Sequence, residues 1–412
     1  MEPKLRIKGF SGAWSKKSIG EILKFKNGLN KDKDAFGHGT PIINYTDVYH
    51  HRGLTKQIIK GKVKLGYDEL KRYRVKKGDV FFTRTSETPE EVGFASVLLD
   101  EVEDCSFSGF ILRGRPYTDD LFIDFCKECF SVKSVRDAII STSTCTTRAL
   151  TNGTLLSKIL INFPSKDEQK AVASFFTKID SIISASTSRL TALKQMKTAS
   201  LQAMFPQENE MTPRVRFRGF YGEWKKCKLE DCLSICLERN TEEEFGKEQV
   251  LSVSDEEGVV NQIQLLGRSF AGKSVSNYKI LKPNQIVYTK SPLKAKPFGI
   301  VKVNKGVIGI VSVLYAVYDA KDNVCPDYIH YYFEPHYRIN KYLSPLVNKG
   351  AKNTMNISDE MALQGSIYIP TYDEQIKIAE YLKAIDKLIT LQSKRLEKLK
   401  QIKSACLDKM FV

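Results

Sequence analysis

Apolar residues recur at spacings built from three and four along two stretches of the chain, residues 163–206 and 369–412. They are Val172, Phe176, Ile179, Ile183, Leu190, Leu193 and Met204 in the first stretch, and Ile378, Leu382, Ile385, Ile389, Leu396, Leu399 and Met410 in the second. Each stretch opens with a proline and, three positions later, Asp-Glu-Gln, which places carboxylates at the positive end of a helix dipole. The pattern predicts two long helices that pair along the apolar seam as an antiparallel coiled coil.

Polar residues interrupt this seam at matching places, Ser186 and Lys197 in the first helix and Gln392 and Lys403 in the second. Because a 3.6-residue period drifts away from a 3.5-residue repeat, apolar neighbours are expected to continue the stripe there. The expected replacements are Met196 and Leu201 in the first helix and Ile402 and Leu407 in the second.

The chain repeats itself. The segments KLRIKGFSGAW at 4–14 and RVRFRGFYGEW at 214–224 align, and they contain both tryptophans, Trp14 and Trp224. The two helical stretches align as well, so the chain is a tandem duplication with pseudo-two-fold character. Phe10, Trp14, Phe220 and Trp224 are expected to pack each globular segment onto a helix. The alternative is two unrelated amphipathic helices, each packed on its own domain.

The segments between the helices alternate short β-branched or apolar runs with Gly, Pro and Asp turns, as sheet-containing domains do. We therefore predict an α+β chain with two α/β domains in tandem at 1–162 and 207–368, and long helices at 163–206 and 369–412. YRVKKGD at 73–79 corresponds to YKILKPN at 278–284, and each leads to a basic residue beside a hydroxyl. The scaffold is shared, whereas the loops have diverged.

The charge is strongly basic, at +16, and the excess is spread along the chain. Such a balance favours a polyanionic partner, with nucleic acid first. The nine cysteines form no framework, and a single CxxC at Cys126 and Cys129 in an apolar run is expected to be core packing, with no metal site. No run of 18 apolar residues is present, so a cytoplasmic protein without a membrane partner is expected.

Residues 267–274, GRSFAGKS, match the phosphate-binding pattern G-x-x-x-x-G-K-S. That pattern works where a strand enters the glycines and a helix leaves the Lys-Ser pair. Here Lys273 and Ser274 are followed by VSNYKILKP, which is a poor helix, and the aligned part of the first repeat has no such motif. A P-loop nucleotide hydrolase acting on nucleic acid stays open as the alternative function, and a coiled-coil scaffold without a DNA role as a third. Motifs of other enzyme classes are missing, so the chain is predicted to be a non-catalytic recognition protein.

The duplicated R-x-[KR]-G-F-x-G-x-W opening, the Pro-x-x-Asp-Glu-Gln start of each helix and the variable segment between them closely resemble the specificity subunit of type I restriction-modification enzymes. This resemblance covers both halves of the chain. It implies that each variable segment is a target-recognition domain for one half of a bipartite, asymmetric DNA target.

The same resemblance implies that the helices dock two methyltransferase (modification) subunits, which bind S-adenosylmethionine and methylate adenine at N6. Separate restriction/translocase subunits would use ATP and Mg. This chain would itself need no cofactor and would contribute specificity alone.

Candidate DNA contacts are basic, amide and hydroxyl side chains in the polar loops, because these suit both base edges and phosphates. They are Arg84, Thr85, Ser86, Thr147 and Arg148 in the first domain, and Lys290, Ser291, Lys294, Lys296, Lys349, Lys352 and Asn353 in the second. Candidate residues for the helix seam and partner docking are Ile179, Ile183, Leu190, Leu193, Ile385, Ile389, Leu396 and Leu399.

Overall fold

The computed structural model describes residues 2–145, 147–207, 210–293, 296–349 and 355–411. The chain divides into two compact units: Met1–Thr187 with Lys394–Val412 form unit 1, and Ser188–Ser393 form unit 2. Each unit thus holds one globular segment, the beginning of one long helix and the end of the other. Within the described ranges, no helix is both long enough and apolar enough to cross a membrane.

Unit 1 contains thirteen short strands within its described residues. They are β1 Ser15–Ser18, β2 Leu23–Asn27, β3 Phe36–Ile43, β4 Gly53–Leu54, β5 Gly61–Val63, β6 Val80–Thr83, β7 Thr85–Ser86, β8 Ala95–Leu98, β9 Ser106–Phe107, β10 Ile111–Pro116, β11 Thr144–Cys145, β12 Ala149–Leu150 and β13 Leu160–Phe163. Its helices are α1 Tyr45–His50, α2 Tyr67–Tyr73, α3 Cys126–Cys129, α4 Lys133–Thr142, α5 Gly153–Ser157 and the start of α6 Lys166–Ala203.

The central sheet of unit 1 has the order β2-β10-β6-β8-β4, flanked by smaller sheets with the orders β5-β3-β9, β11-β12-β7 and β1-β13. All four residues of β6 are buried. Since successive side chains of a strand point to opposite faces, the burial of every residue shows that this strand is covered on both sides. Phe82 accordingly packs in one core with Phe130, and Phe81 packs in another with Phe107.

Unit 2 repeats this construction with shorter strands. They are β14 Lys225–Lys228, β15 Leu233–Ile235, β16 Leu251–Ser254, β17 Gly258–Asn261, β18 Lys279–Leu281, β19 Ile286–Tyr288, β20 Val301–Val303, β21 Gly309–Val311, β22 Ala316–Ala320, β23 Asn348–Lys349, β24 Met355–Asn356 and β25 Ser366–Ile369. Its helices are α7 Gln262–Leu266, α8 Pro326–Phe333, α9 His336–Leu343 and the start of α10 Tyr372–Met410. Its largest sheet has the order β15-β22-β19-β20, and β14 pairs with β25 as β1 pairs with β13.

The two long helices lie where the seam pattern predicts them, and in each unit they are antiparallel. In unit 1, Asp180 of α6 binds Lys403 of α10, and Phe176 contacts Phe411, with 6.1 Å between ring centroids. In these pairs the residue number falls along α6 as it rises along α10, so the two helices run in opposite directions. Unit 2 shows the same order: Lys197 binds Asp386 at 2.6 Å, and the hydroxyls of Ser200 and Tyr381 are 3.4 Å apart. The antiparallel prediction is confirmed within each unit.

The prediction that Met196 and Ile402 continue the seam is wrong. They are 40% and 44% exposed, whereas the side chains of Lys197 and Lys403 are only 16% and 15% exposed. The other predicted replacements, Leu201 and Leu407, are buried as expected. The prediction failed because a lysine was assumed to interrupt the seam. Here nearby carboxylates neutralise the ammonium groups of both lysines.

Each seam lysine lies between two carboxylates of the other repeat. Lys197 Nζ binds Glu334 and Asp386, and Lys403 Nζ binds Asp180 at 2.6 Å and Glu128 at 3.5 Å. Burial by itself lowers the pKa of Lys197, but Glu334 and Asp386 outweigh it, so the pKa lies above its ordinary value. Glu128, Asp180 and Lys197 recur 206 positions later as Glu334, Asp386 and Lys403, respectively. The duplication has therefore kept this cluster complete in both units.

Both tryptophans pack a globular segment onto a helix end, as predicted. Trp14 contacts Phe411, the residue after α10, with ring centroids 5.8 Å apart, and Trp224 contacts Phe205, just beyond α6, at 6.3 Å.

An arginine anchors the repeated opening segment in each unit. Arg216 binds the buried Glu374 at 2.7 Å and donates to the carbonyl of Gly222 at 2.6 Å. Arg6 does the same with Glu168 and Gly12 in unit 1.

We expect Arg216→Ala to lower the free energy of unfolding by about 3 kcal/mol, because it leaves the fully buried carboxylate of Glu374 without a counter-ion. Arg214→Ala is the matched control, since Arg214 is 68% exposed and its solvent-screened ion pair with Glu210 should contribute little to stability. Denaturant unfolding followed by tryptophan fluorescence measures both. Equal midpoints for the two variants would contradict this assignment.

Candidate nucleic-acid interface

In unit 1, strand pairing brings two predicted DNA-contacting segments together. Strand β7 pairs with β12, with Thr85 opposite Leu150 and Ser86 opposite Ala149. The backbone of Arg84 extends this contact, because its carbonyl accepts from Thr151 N–H at 3.0 Å. Residues 84–86 and 147–148, about 60 positions apart in the chain, therefore form one surface.

A cavity of about 350 Å³ opens on this surface. Its lining consists of Tyr45, Tyr49, Thr85, Ser86, Glu87, Glu91, Phe110 and Arg148. The rings of Tyr45 and Tyr49 stack with centroids 5.7 Å apart, and Tyr49 donates its hydroxyl to Glu91 at 2.7 Å. The hydrogen bond to Glu91 raises the pKa of Tyr49, so its phenol stays a neutral donor. Aromatic faces, acceptors and one cation thus face a shared space.

The predicted DNA contacts of unit 1 differ in the solvent exposure of their side chains. Thr147 and Arg148 are exposed, and Arg84 and Thr85 are partly exposed. Ser86 is 5% exposed and its hydroxyl donates to the carbonyl of Thr88, so this side chain shapes the turn. Arg148 is consequently the most accessible cation of the cavity.

Sequence reasoning missed the aromatic wall of the cavity. Phe110 is 64% exposed, and its carbonyl accepts from Arg84 N–H at 3.0 Å, which holds the Phe110 backbone beside the predicted loop. The sequence feature that could have indicated this wall is the large aromatic residue in the turn Ser108-Gly109-Phe110. Tyr45 and Tyr49 lie one helical turn apart in α1, where an aromatic pair is indistinguishable from core residues.

In unit 2, three of the predicted contacts, Lys290, Ser291 and Lys296, lie in the connection between β19 and β20. Lys290 Nζ binds Asp359 at 2.6 Å, and Lys296 Nζ binds Asp255 at 2.6 Å. Lys296 is 7% exposed, so this side chain anchors the connection in the structure. Ser291 is partly exposed and donates its hydroxyl to Thr289 at 3.2 Å.

Several predicted contacts of unit 2 cannot be placed. Lys294, Lys352 and Asn353 lie outside the described residues. Lys349 belongs to β23, which pairs with β24 as a hairpin, and only its backbone is described. Contact of these residues with DNA stays a prediction.

The corresponding loops of the two units leave the sheet in the same way. Thr83 accepts from the backbone N–H of Phe94 through its hydroxyl at 2.8 Å, and Thr289 accepts from Ile300 at 3.2 Å. Each threonine is buried at the last position before the predicted basic residue. The correspondence inferred from Thr83-Arg84-Thr85 and Thr289-Lys290-Ser291 therefore holds in the structure.

The phosphate-loop motif has the wrong structural context. Gly267 ends helix α7 in the left-handed conformation, and the next regular element is strand β18 at Lys279. Residues 262–281 thus run helix, loop, strand, whereas a P-loop requires strand, loop, helix. Ser274 donates its hydroxyl to Glu243 at 3.1 Å. The nucleotide-hydrolase alternative has no support from this geometry.

The lone CxxC is core packing, as predicted. Cys126 and Cys129 lie in α3, are 3% and 2% exposed, and belong to the main hydrophobic core of unit 1. Burial raises the pKa of the Cys129 thiol well above its ordinary value, which keeps it protonated.

Comparison with known proteins identifies the family. Residues 12–195 and 221–401 each match the type I restriction modification DNA specificity domain. The chain belongs to this family and is a specificity subunit, the non-catalytic DNA-recognition component of a type I restriction-modification system. It is 21% identical to the MjaX type I restriction enzyme specificity subunit of Methanocaldococcus jannaschii, over 96% of this chain and 92% of the relative.

Solved structures share the fold. The S subunit of a type I restriction-modification system from M. genitalium superposes with a TM-score of 0.58 at 12% identity, covering 100% of this chain and 99% of that one. A chain from a structure concerned with complex assembly and conformational transition of the type I R-M system gives 0.55 at 15% identity, covering 98% and 99%. The tandem α+β architecture is therefore that of known specificity subunits.

We expect Phe110→Ala to weaken binding of target DNA by roughly five- to tenfold, about the size of one mismatched base pair. Its ring is 64% exposed, so the folding stability should change by less than about 0.5 kcal/mol. Tyr67→Ala is the control, because Tyr67 is 80% exposed in the same unit but lies in α2 and does not line the cavity. Fluorescence anisotropy with a labelled duplex measures the affinity, and equal affinities for the two variants would remove Phe110 from the interface.

Proposed function

We propose that the domain at 1–162 recognises one half of a bipartite DNA target and that the domain at 207–368 recognises the other half. The observation that carries this is the divergence of corresponding loops on a shared scaffold. In unit 1 the loop after Thr83 borders a cavity with aromatic walls, whereas in unit 2 the loop after Thr289 is held by lysine and aspartate ion pairs. Different side chains at equivalent places favour different half-sites, and therefore an asymmetric target.

We further propose that affinity comes from the basic surface and that specificity comes from these loops. A charge of +16 attracts the phosphate backbone of any sequence. Arg148 and Phe110 in unit 1 and the residues beside Lys290 in unit 2 are the proposed contacts to base edges. Because such a complex acts on genomic DNA, we infer a cytoplasmic location.

The long helices are the proposed docking surface for two methyltransferase subunits, with which restriction/translocase subunits would assemble. All eight predicted seam residues are at least partly buried: Ile385 and Leu396 are buried, and the other six are partly buried.

Large apolar residues that remain exposed on the two helices recur in pairs 206 positions apart, Ile182 with Leu388 and Met196 with Ile402. Each unit thus displays one such residue from each helix, which supports one partner per unit. Those partners would bind S-adenosylmethionine, ATP and Mg.

We expect Ile402→Glu to remove the methyltransferase subunit docked on unit 1, because a carboxylate would have to be desolvated in the interface. The number of bound subunits per chain should fall from two to one, as measured by the mass of the purified complex. Ile402→Leu keeps the apolar surface and should retain both. Full assembly of the Ile402→Glu variant would contradict the docking proposal.

The function as a whole is tested by mapping N6-methyladenine in the host genome with and without this gene. We expect deletion to abolish methylation at one split, asymmetric motif, and the wild-type gene to restore it. A Lys273→Ala chain should restore it equally well, since the GRSFAGKS segment lacks the strand and helix of a nucleotide site. Methylation that is independent of the gene would refute the proposed function, and failure of Lys273→Ala alone would revive the nucleotide alternative.

A further inference from the structure

The connection between β19 and β20 in unit 2 is held at both ends by carboxylates. Near its start, Lys290 binds Asp359, and the same carboxylate also binds Lys279 of β18. Near its end, Lys296 binds Asp255, which also receives Lys302 at 3.3 Å. Each aspartate therefore joins one lysine of the connection to one lysine of a neighbouring strand.

The backbone of this connection is set by the same contacts. Lys290 has a φ of 48°, a left-handed conformation that is unfavourable for residues other than glycine. Leu293 and Lys296 exchange backbone hydrogen bonds at 3.0 and 3.1 Å, and Leu293 is 43% exposed. The ion pair with Asp359 therefore holds Lys290 near the start of the connection.

Asp359 is also close in the chain to the other predicted DNA-contacting segment of unit 2. It follows β24 by three residues, at the base of the hairpin formed by β23 and β24. In unit 1 the equivalent segments are joined by backbone pairing between β7 and β12. In unit 2, side chains make the connection, and Asp359 is the residue that they share.

The charge balance at Asp359 affects how DNA is attracted. The side chains of Lys279 and Lys290 are 5% and 17% exposed, and both ammonium groups bind one carboxylate. Burial by itself raises the pKa of Asp359, but the two lysines outweigh it, so the pKa lies below its ordinary value and the group stays ionised. An unpaired lysine here would attract phosphates of any sequence, which adds affinity without discrimination.

We propose that Asp359 is a positioning residue for DNA recognition by unit 2. It joins the loop that begins at Lys290 to the base of the β23–β24 hairpin, and it keeps Lys290 from binding phosphates non-specifically. This inference rests on the proposed function of the second domain.

The test compares binding of two duplexes by the full chain co-purified with its modification subunits. One duplex carries the methylated motif found by genome mapping, in unmethylated form, and the other carries the same bases in scrambled order. With Asp359→Asn, we expect tighter binding of the scrambled duplex and a steeper salt dependence, because two lysines lose their counter-ion. The preference for the target should fall by about tenfold, the size of one mismatched base pair.

The matched control is Asp322→Asn, which makes the same charge change in an exposed turn of unit 2. It should leave the preference unchanged. If Asp322→Asn lowers the preference as much as Asp359→Asn does, the effect belongs to net charge and the inference is overturned.

A second comparison separates positioning from a general structural role. If Asp359 acts through Lys290, then Asp359→Asn should change the preference little when Lys290→Met is already present. An equal loss in both backgrounds would overturn the inference. Should Asp359→Asn fail to fold, Lys290→Met leaves Asp359 paired with Lys279 and must itself lower the preference, and an unchanged preference would again overturn it.

The outcomes also separate this inference from the proposed function. If the wild-type complex binds both duplexes equally, the recognition function of the domain and the role of Asp359 fail together. If the wild type prefers its target and Asp359→Asn keeps that preference in full, the function stands and the inference about Asp359 falls.

Discussion

A lysine ammonium placed between two carboxylates is the interaction on which both units depend. Lys197 in unit 2 and Lys403 in unit 1 occupy seam positions of a helix pair, where an unpaired charge would be strongly destabilising. The carboxylates come from two directions, one from the partner helix and one from the globular segment. A single side chain therefore ties together three elements and, as polar residues at coiled-coil core positions do, favours one register over others.

Each cluster of one lysine and two carboxylates combines residues of both repeats. Lys197 belongs to the first repeat but binds Glu334 and Asp386 of the second, and Lys403 belongs to the second but binds Glu128 and Asp180 of the first. Neither unit is complete without a helix end from the other repeat. The loops that are proposed to recognise DNA contain none of these residues, which is consistent with their divergence while the helices kept matching residues 206 positions apart.

The sequence was sufficient for features that repeat or have a regular period. The helices predicted within 163–206 and 369–412 are observed at Lys166–Ala203 and Tyr372–Met410, and the paired tryptophans pack as expected. It was insufficient where distant segments determine the environment of a residue. Lys197 and Lys403 looked like interruptions of the seam, and Met196 and Ile402 looked like their replacements. The helix pattern does not show that the globular segments supply carboxylates that bind these lysines. The cavity walls at Tyr45 and Phe110 could not be predicted, because they depend on how α1 and the turn before β10 lie beside β7.

Both proposed recognition surfaces place carboxylates next to cations, and this arrangement favours discrimination between sequences by a strongly basic protein. A charge of +16 gives attraction to every DNA sequence, so the free energy that distinguishes sequences must come from groups that penalise a wrong fit. In unit 1, Glu87 and Glu91 share a cavity with Arg148, and in unit 2 Asp359 and Asp255 pair with lysines of the loop. Such carboxylates reduce the attraction of the neighbouring cations for the phosphates of any sequence. Acidic residues at the proposed surfaces are therefore expected to reduce the total attraction to DNA while increasing the difference in binding free energy between right and wrong sequences.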